Sequence, residues 1–214
     1  MSPPTEAAER ALALLQERSP DCAAALRAAP APVQQAARQV FAASDFVVDA
    51  LLRDAQLLPL LLARAPQHLA GAFPVPVDSD EARFMARLRR WRCAELARIA
   101  WRDLAGWASL GETLPELRAA AAAATRAAHD FAWQQLSARH GAPAVTDPEA
   151  QRLVVIAMGK LGGQELNFSS DVDLIFLFDT HGETTGARPL SHEEFFLKLG
   201  QLLIRYLDAP RYLQ

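Results

Sequence analysis

Apolar and polar positions follow one rhythm up to about residue 141 and another after it. From residue 5 to about 140, alanine and leucine recur at helical spacing with no β-branched alternation, which predicts a run of helices broken at prolines and glycines. The expected connections are Ser19-Pro20, Ala29 to Pro32, Pro66 and Gly71 to Asp78. Ser44-Asp45 is a helix cap that carries Phe46, Val47, Ala50 and Leu51 inward, and Pro59 interrupts the apolar run that follows. A long helix is expected from Asp80, with Phe84, Leu88, Trp91, Leu96, Ile99 and Leu104 near helical spacing. Thr113-Leu-Pro-Glu116 reads as a capping box opening a further helix that runs to Gly141.

Beyond Gly141 the stretch APAVTDPEA reads as a linker, and Leu153 to Met158 is a continuous apolar strand running into glycines. A second strand is expected from Asp171 to Phe178, then a polar loop from Thr180 to Pro189. Ser191 to Glu194 is another capping box, opening a helix with Phe195, Phe196, Leu199, Leu202, Leu203 and Tyr206 on its apolar side. The expectation is an α+β chain, with a helical region over 1–145 and a strand-loop-strand-helix unit over 146–214.

Composition narrows the classes. Hydrophobic residues make up 51% of the 214 and suffice for a core. A net charge of -3 gives no bulk basic field for non-specific nucleic-acid binding, so any phosphate chemistry is local. The acid-bearing amino terminus lacks a signal-like apolar segment and no stretch is long enough for a membrane span, so a cytoplasmic chain is expected. Cys22 and Cys93 lack disulfide or metal-ligand patterning and read as core residues. Only Lys160 and Lys198 of the 22 basic residues are lysine, and the first lies in the most distinctive segment.

That segment is GKLGGQELNFSSDVDLIFLF, residues 159–178. In an extended chain Asp171 and Asp173 share one face while Val172, Leu174, Phe176 and Phe178 share the other. Two adjacent carboxylates repel and resist burial unless a cation lies between them, and a divalent metal is the usual solution. Gly159, Lys160, Gly162 and Gly163 supply closely approachable backbone and one cation, features that hold a phosphate. Ser169 and Ser170 add hydroxyls beside the carboxylates, and Asp171 and Asp173 can share Mg²⁺ or Mn²⁺ bridging to phosphate oxygens.

The run GKLGGQELNFSSDVDLIFLFD resembles the signature of bacterial glutamine synthetase adenylyltransferases, within the DNA polymerase β-like nucleotidyltransferase superfamily. SDFVVDALLRDAQLL and RRWRCAELARIAWRDLAG resemble that family's early helical segment and its long arginine-rich helix. Family proteins carry two such domains, one attaching AMP to a tyrosine of glutamine synthetase and one removing it. The ELN and SSD of this chain, Glu165 to Asn167 and Ser169 to Asp171, are similar to the removing copy. The resemblance implies a metal-dependent nucleotidyltransferase that removes AMP by phosphorolysis, releasing ADP and unmodified glutamine synthetase as part of nitrogen regulation. Asp171 and Asp173 would be catalytic and metal-binding; Gly159, Lys160, Gly162, Gly163, Ser169 and Ser170 would bind nucleotide (ATP or ADP) or inorganic phosphate. Glu165 and Asn167 would brace the loop. The superfamily's third carboxylate belongs to a later segment, so the nucleotidyltransferase domain is expected to be truncated here, with Asp179 and Asp208 not where the pattern places that acid.

Other features read as structural. The arginines from Arg83 to Arg102 are expected on a solvated helix face rather than as a phosphate clamp. Trp91, Trp101, Trp107 and Trp133 are expected in packing, and the five histidines show no metal spacing. Two alternatives stand beside the enzymatic reading: a catalytically incomplete module that binds glutamine synthetase or a nitrogen-signalling regulatory protein, and a nucleotidyltransferase with another substrate.

Overall fold

The structure is a computed structural model and describes residues 3–64, 78, 80–144 and 153–208. Its elements are α1 (Pro3–Arg18), α2 (Pro20–Ala28), α3 (Ala31–Ala43), α4 (Asp45–Arg53), α5 (Leu57–Arg64), α6 (Glu81–Leu104), α7 (Leu110–His140), β1 (Val154–Ala157), α8 (Gly159–Gly162), β2 (Leu174–Leu177) and α9 (His192–Leu207). The expected connections at Pro66 and Gly71 to Val77, and the expected domain boundary at 145/146, lie outside the described residues. The chain forms two compact units: Met1–Pro74 with Arg89–Ala120 and Arg211–Gln214, and Val75–Leu88 with Ala121–Pro210.

In the first unit α1 packs against α2, α3 and α4, and Leu15, Val40, Val47, Leu51, Leu58 and Leu61 are fully excluded from water. Each such side chain contributes about 1.5–3 kcal/mol on burial. The Ser44 hydroxyl accepts from the Val47 amide, so the cap of α4 forms as its sequence predicts. Two proline expectations change. Pro59 does not interrupt the apolar run but lies in the first turn of α5, where the amide it lacks has no partner within the helix. Pro32 likewise falls inside the first turn of α3 rather than in the connection.

The largest departure concerns α6 and α7. Arg98 and Arg102 are buried, not solvated: Arg98 lies 3.1 Å from Glu95 and 2.8 Å from Glu116, and Arg102 lies 3.4 Å from Glu116 and 3.8 Å from Glu112. Of the other α6 arginines in this unit, Arg90 is exposed as expected and pairs with Asp54 at 2.5 Å, whereas Arg89 and Arg92 are half-buried. The expected capping box at Thr113 to Glu116 is also displaced. α7 starts at Leu110, the Ser109 amide and hydroxyl donate to Glu112 at 2.8 and 2.9 Å, and Glu112 is the acid of the cap. Thr113 and Glu116 are instead buried, the Thr113 hydroxyl donating to Asp103 at 2.9 Å and Glu116 meeting the two guanidinium groups. Buried charge has outcompeted capping for these residues.

In the second unit the α6 residue Phe84 stacks on Phe131 of α7 at 4.0 Å, and both meet the Tyr206 ring edge-on. The Tyr206 hydroxyl's pKa is raised, chiefly by burial. α7 stops before Gly141, as expected. β1 and β2 pair antiparallel, with Val154 opposite Leu177 and Ala157 opposite Leu174. One face of this ribbon, with Val155 and Phe176, is half-buried, and Phe176 reaches Gly200 of α9 closely enough that a Cβ there would lie 3.3 Å from its ring. Ser191 caps α9 through the Glu194 amide at 3.1 Å, and Phe195, Phe196, Leu199, Leu203 and Tyr206 are buried as predicted, with Leu202 half-buried.

Candidate functional site

All residues of the candidate site lie in the second unit, between β1 and β2. The end of β1 delivers the chain into α8, a single helical turn, and the end of the intervening loop returns beside it. The Met158 amide donates to the Asp173 carbonyl at 2.9 Å, one pair beyond the ladder. The strand itself begins at Leu174 rather than at Asp171. The reason is the partner: β1 ends at Ala157 and turns into α8, so residues 171 and 172 have no strand to pair with. Asp171 and Asp173 therefore stand at the entrance to β2, and both are exposed.

Two glycines set the geometry. Gly159 has φ +54, and a Cβ on it would lie 2.9 Å from Asp173 Oδ2, so any larger residue is both strained and in collision with the carboxylate. A Cβ on Gly162 would fall 2.4 Å from the Ala157 carbonyl oxygen. The amides of Gly162 and Gly163 donate to the carbonyls of Met158 and Gly159 at 3.0 and 2.9 Å. Gly162 thus serves by lacking a side chain, and the amides of both glycines are used within the turn. Lys160 in the same turn is exposed, and Leu161 anchors the turn as a buried residue.

The loop that follows is held by Asn167. Its Oδ1 accepts from the Ser169 amide at 3.2 Å, the Ser169 hydroxyl at 3.2 Å and the Ser170 hydroxyl at 2.7 Å. The Asn167 amide in turn donates to the Ser170 hydroxyl oxygen at 3.3 Å. Leu166 is buried and anchors the loop, while Glu165 is exposed and its amide donates to the Lys160 carbonyl at 2.8 Å. Gln164 has φ 63, the one left-handed residue other than glycine among the described residues. Nothing in the sequence marked Gln164 for that conformation; its place just past a glycine pair is the only available signal.

The carboxylate donor set suits a hard divalent cation, and the missing Cβ of Gly159 lets the exposed Asp173 carboxylate lie against the turn. Among the described residues no three His, Cys, Asp or Glu side chains group to hold a metal, so the two aspartates would need oxygens from water or substrate to complete a shell. Asp179 and Asp208 are exposed and do not join such a group. Of the histidines, His192 is buried with Nε2 3.2 Å from the Glu183 carbonyl, and His181 pairs with Glu193 at 2.8 Å, a contact that holds the Glu193 carboxyl below its ordinary pKa. No helix among the described residues is long and apolar enough to cross a membrane.

Comparison with known proteins gives the chain its relatives. The family model for glutamate-ammonia ligase adenylyltransferase matches residues 34–212. A bifunctional glutamine synthetase adenylyltransferase/adenylyl-removing enzyme of Xanthomonas campestris pv. campestris is 43% identical over 214 residues, covering 97% of this chain and 22% of that protein. Proteins of the same description from Thioalkalivibrio sulfidiphilus and Shewanella loihica are 52% identical over 134 residues and 39% identical over 179, covering 63% and 80% of this chain. The chain spans between 14% and 22% of the length of these relatives. With most of its residues matched, the glycine turn and paired aspartates included, the chain belongs to the glutamate-ammonia ligase adenylyltransferase family.

Proposed function

We propose that this chain carries the metal-dependent site of an adenylyl-removing reaction on glutamine synthetase. The observation that carries the reading is the approach of Asp173 to Gly159, which brings the carboxylate end of the loop onto the glycine turn with its lysine. Inorganic phosphate attacks the phosphorus of the AMP group, the bond from phosphorus to the tyrosyl oxygen breaks, and that oxygen leaves with the electron pair and takes a proton. ADP and unmodified glutamine synthetase result. Asp171 and Asp173 would hold Mg²⁺ or Mn²⁺, whose charge offsets that of the phosphoryl oxygens when bound. Lys160 and the backbone at Gly159 orient the anionic groups, and Gly162 and Gly163 keep the turn tight enough for close approach. Positioning and charge compensation, rather than covalent help, are what such a transfer requires. The removing direction is supported by the ELN and SSD pattern, whose Asn167, Ser169 and Ser170 form one hydrogen-bonded unit.

The test places Asp171→Asn with Asp173→Asn in a chain of the relatives' full length. ADP release from adenylylated glutamine synthetase, with phosphate present, should fall by at least about 100-fold, the usual cost of removing a positioned electrostatic group. AMP incorporation into unmodified glutamine synthetase should persist. The opposite pattern would assign this segment to the attaching reaction, and normal turnover in both directions would remove the aspartates from the site.

A further inference from the structure

The hydrogen bonds of the 167–170 loop fix which way its hydroxyl protons point. A backbone N–H only donates, so the Asn167 atom that receives the Ser169 amide at 3.2 Å is its carbonyl oxygen, an acceptor without protons. The Ser169 and Ser170 hydroxyls reach that same atom at 3.2 and 2.7 Å, and each must therefore donate its single proton to it. What each Oγ has left is lone pairs, and Ser170 uses one of its own for the Asn167 amide. Two carboxylates follow at once, at Asp171 and Asp173, and these are acceptors as well when ionised. Residues 169–173 thus offer a succession of oxygen acceptors, and an anion brought against them meets no hydroxyl donor until an Asn167 bond breaks.

We infer that Asn167 is a positioning residue that turns the Ser169 and Ser170 hydroxyl oxygens into acceptors for a divalent cation or the water bound to it, rather than donors to phosphate. This reverses the role expected for the two serines and leaves the phosphate side to the glycine turn and Lys160. The inference rests on the metal-dependent site proposed above.

The experiment uses the 214-residue chain, Mn²⁺ as the cation probe and orthophosphate as the anion probe, with calorimetry for each and circular dichroism to confirm folding. Ser169→Ala with Ser170→Ala should weaken Mn²⁺ binding about 3- to 10-fold, in line with the loss of one or two ordinary hydrogen bonds, and leave orthophosphate binding unchanged. Asn167→Ala should weaken Mn²⁺ similarly while strengthening orthophosphate binding, because the serine protons are released. Asn167→Leu fills a similar space without an acceptor and should behave as Asn167→Ala does, whereas a merely space-filling role for the asparagine would leave Mn²⁺ and orthophosphate binding at the parent's values. Weakened orthophosphate with unchanged Mn²⁺ in the double serine variant would overturn the inference. Asp171→Asn with Asp173→Asn divides the two proposals. If it abolishes Mn²⁺ binding while the serine and asparagine variants bind normally, only this inference fails; if it leaves Mn²⁺ binding intact, the metal site and the inference fail together.

Discussion

The α6 and α7 network and the loop before β2 both gather acidic side chains, and they treat them in opposite ways. Glu95 and Glu116 are buried against Arg98 and Arg102, whereas Asp171 and Asp173 stand exposed at the mouth of a glycine turn. A buried carboxylate requires its counter-charge at all times, since the cost of desolvation is incurred on folding. An exposed carboxylate at a turn can wait for a ligand. The first arrangement serves the fold and the second, on the function proposed above, serves chemistry, and substitution should separate them.

The largest expected effect is on the buried network. Arg98→Ala leaves Glu95 and Glu116 without their common guanidinium and should destabilise the chain by about 3–5 kcal/mol, read from denaturant unfolding. Arg98→Met combined with Glu95→Gln removes one charge of each sign while leaving Glu116 with Arg102, and should recover part of that loss. Asp171→Asn with Asp173→Asn should leave the unfolding midpoint equal or slightly raised in metal-free buffer, because only repulsion between exposed groups is removed. An equal loss of stability from both sets would erase the distinction between the regions.

How far the sequence foretold each region follows the same division. The strand-turn-strand order, the α9 capping box and the Ser44 cap were legible because local chemistry settles them: apolar runs, glycines, and a hydroxyl three residues before an amide. The roles of Arg98, Arg102 and Glu116 were not legible. Arginines spread around a helix look solvated when read one helix at a time, and their burial depends on Glu116, eighteen residues from Arg98, arriving from α7. The Thr113 capping box failed for the same reason, its acid having been claimed by a long-range partner. At the candidate site the residue types were readable, but the left-handed Gln164 and the triple acceptance by Asn167 arise from backbone geometry that spacing does not encode.

An intermediate effect is expected at Lys160. Lys160→Ala should weaken orthophosphate binding by about 1–3 kcal/mol, the range for a charge-assisted hydrogen bond, with no change in the unfolding midpoint since the side chain is exposed. Lys160→Arg retains charge but presents a planar fork in place of a compact ammonium, and should restore only part of the affinity. Calorimetry showing wild-type affinity in the alanine variant would make Lys160 an ordinary solvated residue and shift the anion-binding role to the backbone alone.

The smallest effect should come from Gln164, and it has the opposite sign. A side chain at φ 63 crowds its own carbonyl, at a cost of roughly 1–2 kcal/mol, and glycine avoids that crowding but loses more freedom on folding, by about 0.5–1 kcal/mol. The difference favours Gln164→Gly by about 0–1.5 kcal/mol, so its unfolding midpoint should equal or exceed the parent's. Gln164→Val, branched at Cβ, should fall below the parent because its two γ carbons worsen the same crowding. The pair tests whether the turn is held in this backbone state by its surroundings, through the Leu161 carbonyl that the Gln164 amide meets at 3.2 Å and the buried Leu161 and Leu166 on either side. Were the glycine variant less stable than the parent, the left-handed conformation would not be costing the turn anything. Asn167, rather than the strained residue, would then be the part of the loop most worth altering.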